Sequence, residues 1–147
     1  MKLPTQIRIA IAAAILSLGA GAGIAMADAQ RTASPSGAEV YFIAPAVGAT
    51  VSSPVTVKFG LKGMGIAPAG IQFENTGHHH LIIDADLPPP GAPIPTDANH
   101  VHFGKGQSET TIELEPGKHT LQLLLGDFGH IPHDPVVASK KITITVQ

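Results

Sequence analysis

The chain has 147 residues, no cysteine, and 9 Lys and Arg residues against 11 Asp and Glu, which gives a formal net charge of −2. The lack of cysteine excludes disulfides, thiolate metal sites and a cysteine nucleophile, and the slightly acidic balance provides no basic patch for a nucleic acid partner. Because there is no Trp, one Tyr and five Phe, the core must consist mainly of Val, Ile and Leu.

The N-terminus has the features of an export signal. Lys2 and Arg8 precede an apolar, alanine-rich segment that ends in the small-x-small sequence Ala25-Met26-Ala27. This pattern predicts a signal peptide, residues 1–27, removed after Ala27. An uncleaved anchor is the alternative, but the apolar segment is at the short end of the roughly 20 residues that span a bilayer. We expect a periplasmic or secreted protein with no stable membrane insertion after cleavage.

The rest of the chain reads as strands and turns. Residues 28–38 are small and polar, so we expect a flexible leader. From residue 39 onwards, period-two alternation and short apolar runs are separated by Gly and Pro, which is typical of strands joined by turns. Six segments qualify: 40–44, 55–61, 79–84, 109–114, 119–125 and 136–146. They predict one all-β domain over residues 39–147, an immunoglobulin-like antiparallel β-sandwich of about seven strands.

Eight histidines are unevenly placed on this predicted fold. Three are consecutive, in GHHHLIID at 77–84, and others occur in HVHFG and GHIPHD. In an immunoglobulin-like sandwich, the connections before strand 79–84 and after strand 119–125 lie at the same pole. If segment 85–108 crosses back along the sheet, seven histidines can share that pole. His119 takes the place of the corner tyrosine of such domains, at the opposite end, and we expect it to be structural.

Converging imidazoles predict a transition-metal site. The pairs His78/His80 and His100/His102 each share one face of a strand, and nearby aspartates can ligate or orient the rings. Without Cys, and with Met64 as the one Met left after cleavage, the ligand chemistry favours Cu(II) or Zn(II) over Cu(I). The candidate metal residues are His78, His79, His80, His100, His102, His130, His133, Asp127 and Asp134.

Other interpretations of the histidines remain open. His79 shares the phase of Leu81 and Ile83 and can bond a backbone carbonyl in the core, and the PHDP sequence resembles a capped turn. A role in pH sensing or ligand recognition is a further alternative. We expect a metal carrier or buffer of the cell envelope and not a catalyst. The alternatives are a non-catalytic envelope accessory or adhesion module with structural histidines, and a mononuclear metalloenzyme.

Three motifs resemble those of a family of small exported bacterial domains of unknown function. They are GHHHLIID (77–84), HVHFGKGQSE (100–109) and PGKHTLQLLLGDFGHIPHDP (116–135), and the resemblance spans roughly residues 40–147. It implies an exported β domain with the histidines as its signature, and it implies no particular activity. The matching positions are the eight histidines, with Asp84, Asp127 and Asp134.

Overall fold

The computed structural model describes residues 30–147; the predicted signal peptide lies outside them. Residues 30–147 contain nine strands and no helix, hence no helix that is long and apolar enough to cross a membrane. The strands are β1 Glu39–Ala44, β2 Thr50–Val51, β3 Val55–Lys62, β4 Gly65–Ile66, β5 Thr76–Ile83, β6 His100–His102, β7 Glu109–Ile112, β8 Gly117–Gly126 and β9 Ile142–Val146.

The strands form two sheets. One has the order β1-β3-β7, and the other has the order β2-β9-β8-β5-β4, with β6 also paired to β5. The main neighbours are antiparallel, while β2 runs parallel to β9 and β4 parallel to β5. The separation of β1, β3 and β7 from β5, β8 and β9 is the immunoglobulin arrangement, so the predicted fold class is confirmed.

Period-two alternation builds the core between the sheets. In β3, Val55, Val57 and Phe59 are buried while Thr56 and Lys58 are exposed. Their apolar face meets Leu121, Leu123 and Leu125 of β8 and the isoleucines of β9 in one cluster. Each such side chain contributes about 1.5–3 kcal/mol when fully buried, so apolar packing can hold the domain without a disulfide.

Strand β5 is buried on both sides. Leu81 and Ile83 belong to the core between the sheets, whereas Ile82 packs with Leu124 and Ile94 in a second, smaller cluster. Ile94 belongs to the proline-rich segment between β5 and β6, which has no strand. This segment therefore covers the outer face of the larger sheet, and any side chain that β5 sends to that face lies in an enclosed space.

The last predicted strand is shorter than expected. The alternating pattern suggested residues 136–146, but β9 begins only at Ile142. Residues before it still touch β8: Leu125 N donates to Val137 O, and Leu123 N donates to Ser139 Oγ. At Ser139 the side-chain oxygen accepts the hydrogen bond that a backbone carbonyl accepts in a regular sheet. The regular pairing with β8 is therefore interrupted at this residue.

Candidate metal centre

The alternation along β5 determines which histidines share a space. Consecutive residues of a strand point to opposite sides, so His78 and His80 face the outer side of the larger sheet, as Ile82 does. The register sets His80 directly opposite His102 of β6, and opposite residues carry their side chains on one face of a sheet. Three imidazoles from two strands therefore meet outside the sandwich core.

A fourth imidazole reaches the same space from the β8–β9 connection. His130 Nε2 lies 3.1 Å from His102 Nε2, and the His130 ring centroid is 5.0 Å from that of His78. The centroid of His80 lies 4.8 Å from that of His78 and 5.1 Å from that of His102. We call His78, His80, His102 and His130 the four-histidine cluster.

Two glycines provide the room for these rings. A Cβ at Gly126 would lie 2.8 Å from His80 Cε1 and 3.2 Å from Ile94 Cδ1, and a Cβ at Gly104 would lie 2.6 Å from His102 Nε2. The two contacts to the imidazoles, both under 3.0 Å, would not occur without a shift of the rings. Glycine at both positions therefore lets the imidazoles occupy their present places.

The inner half of the cluster is sealed from solvent and lacks hydrogen-bond partners. His78 and His80 are both 0% exposed. Within the part of the chain that the structure describes, neither ring nitrogen of His78 or of His80 has a hydrogen-bond partner. Leaving a buried polar group unpaired costs about 1–3 kcal/mol, so this arrangement is unfavourable unless the nitrogens bind something.

Burial keeps these imidazoles neutral. Burial, followed by the neighbouring His102 and His130, lowers the pKa of His78 to about 4. Burial, followed by His78, His102 and His130, lowers the pKa of His80 to about 2. The pKa of His102 is also lowered, by burial and then by His130. At neutral pH His78, His80 and His102 therefore carry the free lone pair that a metal ion requires.

The nitrogen positions fit a metal ion. His78, His80 and His102 each offer a ring nitrogen, and the three nitrogens lie within 4.8 Å of one another. Two nitrogens on a tetrahedral zinc lie about 3.3 Å apart, given Zn–N bonds of about 2.0 Å, so side-chain movements on the order of one ångström close the set around an ion. The 3.1 Å between His102 and His130 already has that spacing. The triad of His78, His80 and His102 can hold a metal ion, and His130 adjoins it through its contact with His102.

The structure places three other predicted metal histidines outside the cluster. His79 lies in the core, where its ring meets Phe59 edge-on at 4.6 Å. His100 Nδ1 pairs with Asp97 Oδ1 at 2.8 Å. His133 is fully buried, and its Nε2 donates to the carbonyl of Thr76 at 3.2 Å.

The two predicted aspartates also have other partners. Asp127 Oδ1 accepts hydrogen bonds from the backbone N–H groups of Gly129 and Ile131. The charge of Asp127 acts on the cluster only by opposing the lowering of the His78 pKa. Asp134 is paired with Arg31, with Oδ1 3.1 Å from Nη1. Met64, weighed as a soft ligand, packs against the main core.

His119 lies at the other end of β8 and has two acceptors. Its Nδ1 is 2.7 Å from Asp84 Oδ2, and its Nε2 is 2.8 Å from the carbonyl of Glu115. The Asp84 hydrogen bond, followed by the Glu115 carbonyl, raises the pKa of His119. Two acceptors on one ring match a bracing role at the strand corner.

Sequence reasoning did not identify the residues that shape the cluster. Gly104 directly follows the HVHF segment, and Gly126 comes at the end of the apolar run of β8. A glycine in an apolar strand pattern indicates that another group approaches the backbone closely. Gly126, the first residue of GDFG, therefore carried a signal in the sequence. Thr32, whose hydroxyl lies 2.6 Å from Asp127 Oδ2, had no comparable signal, since its partner is 95 residues away.

Fold and cluster together define a small immunoglobulin-like β domain with an enclosed group of histidines on the outer face of one sheet. Residues 57–147, which span from β3 to the C-terminus and include the whole cluster, match the model of DUF4399, a domain of unknown function. The chain belongs to this family, which confirms the predicted resemblance to a family of domains of unknown function. No curated protein and no solved structure matches the chain.

Proposed function

We propose that the protein binds one Cu(II) or Zn(II) ion through His78, His80, His102 and His130, and that it serves as a metal carrier or buffer in the cell envelope. The observation that carries the proposal is the set of four unpaired ring nitrogens on His78 and His80. A network of structural histidines satisfies its nitrogens internally, and these two residues do not.

The donor set supports the choice of metal. Four imidazoles without a sulfur ligand suit Zn(II) and Cu(II), whereas Cu(I) prefers thiolate and thioether groups. The chain has no cysteine, and Met64 packs against the main hydrophobic core. Tetrahedral zinc and tetragonal copper both accept four nitrogen ligands, so the two ions remain joint candidates.

The burial gradient across the cluster supports a carrier. His78 and His80 are fully enclosed, while His102 and His130 are only partly buried. An ion can therefore enter and leave past the two outer rings without opening the sandwich core. The envelope location rests on the predicted signal peptide, whose removal would release the domain outside the cytoplasm.

The main alternative is an envelope module whose histidines only brace loops. His100, His119 and His133 fit that description, because each has a hydrogen-bond partner in the structure. The four-histidine cluster differs from them, since among the described residues the ring nitrogens of its two inner members have no hydrogen-bond partner. The alternative therefore accounts for His100, His119 and His133, and it does not account for the meeting of four histidines in one cluster.

Isothermal titration calorimetry on the untagged, chelator-treated protein tests the proposal. We expect saturation at one Cu(II) or Zn(II) ion per chain at pH 7.5, with protection against thermal unfolding, because an ion that binds only the folded state stabilises it by about 2.7 kcal/mol at 100 times the Kd. Mg(II), which prefers oxygen ligands, is the control and should give no heat. Unchanged melting temperature with either transition metal would support the bracing module.

A further inference from the structure

The ring of His130 is held in the cluster by a backbone conformation that is uncommon for a non-glycine residue. Its φ is 66°, in the left-handed region, which non-glycine residues adopt only when their surroundings hold them there. The surroundings here are hydrogen bonds. His130 N donates to Asp127 O at 3.0 Å, and Ile94 N donates to His130 O at 2.8 Å.

Asp127 organises this turn. Its Oδ1 accepts from Gly129 N and from Ile131 N, both at 2.9 Å, so the carboxylate binds the residues on either side of His130. Asp127 is 2% exposed. A carboxylate buried to this extent needs hydrogen bonds on both oxygens, and the turn uses only one of them.

The second oxygen is bound from the N-terminal side of the domain. Thr32 Oγ1 donates to Asp127 Oδ2 at 2.6 Å, a short, charge-assisted bond. Residues 31–34, within the segment expected to be a flexible leader, are thus tied to the turn that carries His130. We call residues 31–34 the N-terminal strap.

Further bonds align the strap with the end of the same connection. Ser34 N donates to Asp134 O, and Asp134 N donates to Thr32 O, both at 2.9 Å, in a parallel bridge between Ala33 and Asp134. Arg31 donates through Nε to Pro132 O at 3.1 Å and through its guanidinium to His133 O. The strap therefore contacts the connection on both sides of His130, at Asp127 and at 132–134.

We propose that the N-terminal strap positions His130 for metal binding, with Thr32 and Arg31 as positioning residues that act through the turn. The proposal rests on the proposed metal function. Detachment of the strap frees one carboxylate oxygen of Asp127 and loosens the turn, so that His130 leaves the ion while the β5 and β6 histidines, held by the sheet, stay. The strap thereby controls how readily the ion is released.

Thr32→Val tests this step, with Thr32→Ser as the matched control, since valine keeps the shape and loses the hydroxyl whereas serine keeps the hydroxyl. In the metal-free protein we measure amide hydrogen exchange of Gly129 and Ile131, with the Leu81 amide in central β5 as internal reference. Loss of a hydrogen bond to a buried carboxylate should speed exchange at both turn amides by about ten-fold or more. Thr32→Ser and the Leu81 amide should be unaffected.

The second measurement is the rate at which a chelator removes Zn(II) from each loaded variant. Thr32→Val should release the ion about ten-fold faster, in line with the 10–100-fold effects of residues that orient metal ligands, and Thr32→Ser should match the wild type. Unchanged exchange at Gly129 and Ile131 overturns the proposal, and so does faster exchange with unchanged zinc release. If the wild type binds no zinc, the proposed function fails, and the exchange measurement still decides whether the strap holds the turn.

Discussion

Replacing His102 by alanine lowers the affinity for Cu(II) or Zn(II) by at least about 100-fold, because even residues that merely orient a ligand contribute 10–100-fold. His102 is the right position for this test. It belongs to the ligand triad yet is only partly buried, so its truncation spares the sandwich core. The affinity is measured by competition with a chelator of known strength.

His100→Ala is the matched control for that experiment. His100 lies two residues away on β6, opposite Ile82 in the register, and its Nδ1 pairs with Asp97. We expect its removal to leave metal affinity within about two-fold, since it contributes no ligand atom to the cluster. Equal losses from both variants, or none from either, would contradict the assignment of the site to the four-histidine cluster.

The metal-free protein should lose stability steeply as the pH falls below 6.5. The pKa values of His78 and His79 are about 4 and that of His80 is about 2, whereas the ordinary value is about 6.5. The unfolded chain therefore binds more protons than the folded one between these values. The stability is complete above about pH 6.5, and each buried histidine removes about 1.4 kcal/mol per pH unit as the pH falls towards its folded pKa.

Three such groups act together, so by pH 5 the loss amounts to several kcal/mol of the 5–15 kcal/mol typical of a domain. Urea unfolding at pH 7.5, 6 and 5 measures it. His119 acts in the opposite sense, because its raised pKa gives stability that is complete below about pH 6.5 and is lost as the pH rises through the folded value. Its exposed pair contributes little. Equal unfolding midpoints at the three pH values would show that the buried imidazoles protonate freely.

Much of the fold could be predicted because alternation is a local signal. Strand β3 alternates buried and exposed residues from Val55 to Phe59, and Leu121, Leu123 and Leu125 of β8 share one face, so each strand is evident from its own residues. Strands β2, β4 and β6 have two or three residues each. A pattern of period two cannot be recognised over so short a length, and their pairing is decided by neighbours distant in sequence.

Of the candidate site, the sequence predicted only the arrangement of the histidines that lie on strands. The spacing of His78 and His80 predicts a shared face, and the structure shows both rings on it. The expectation that seven histidines gather at one pole did not anticipate that four of them would meet on a sheet face. The shared phase of His79 with Leu81 and Ile83 did indicate the core position that His79 takes beside Phe59. No pattern in the sequence indicated that His133 would bond the carbonyl of Thr76.

The position of His130 lay beyond sequence reasoning for a physical reason. It depends on a left-handed backbone at one residue, on a turn built by Asp127, and on a hydroxyl that is 95 residues away. Tertiary contacts of this range have no local pattern, so the polar composition of residues 31–34 gave no sign of them.

A crystal of the Zn(II)- or Cu(II)-loaded protein, with anomalous diffraction recorded on both sides of the metal absorption edge, locates the ion itself. We predict one anomalous peak per chain, about 2.0 Å from ring nitrogens of His78, His80, His102 and His130. A peak at the surface near His100 or Asp134, or an empty cluster in a crystal that holds the metal elsewhere, would contradict the proposed metal centre.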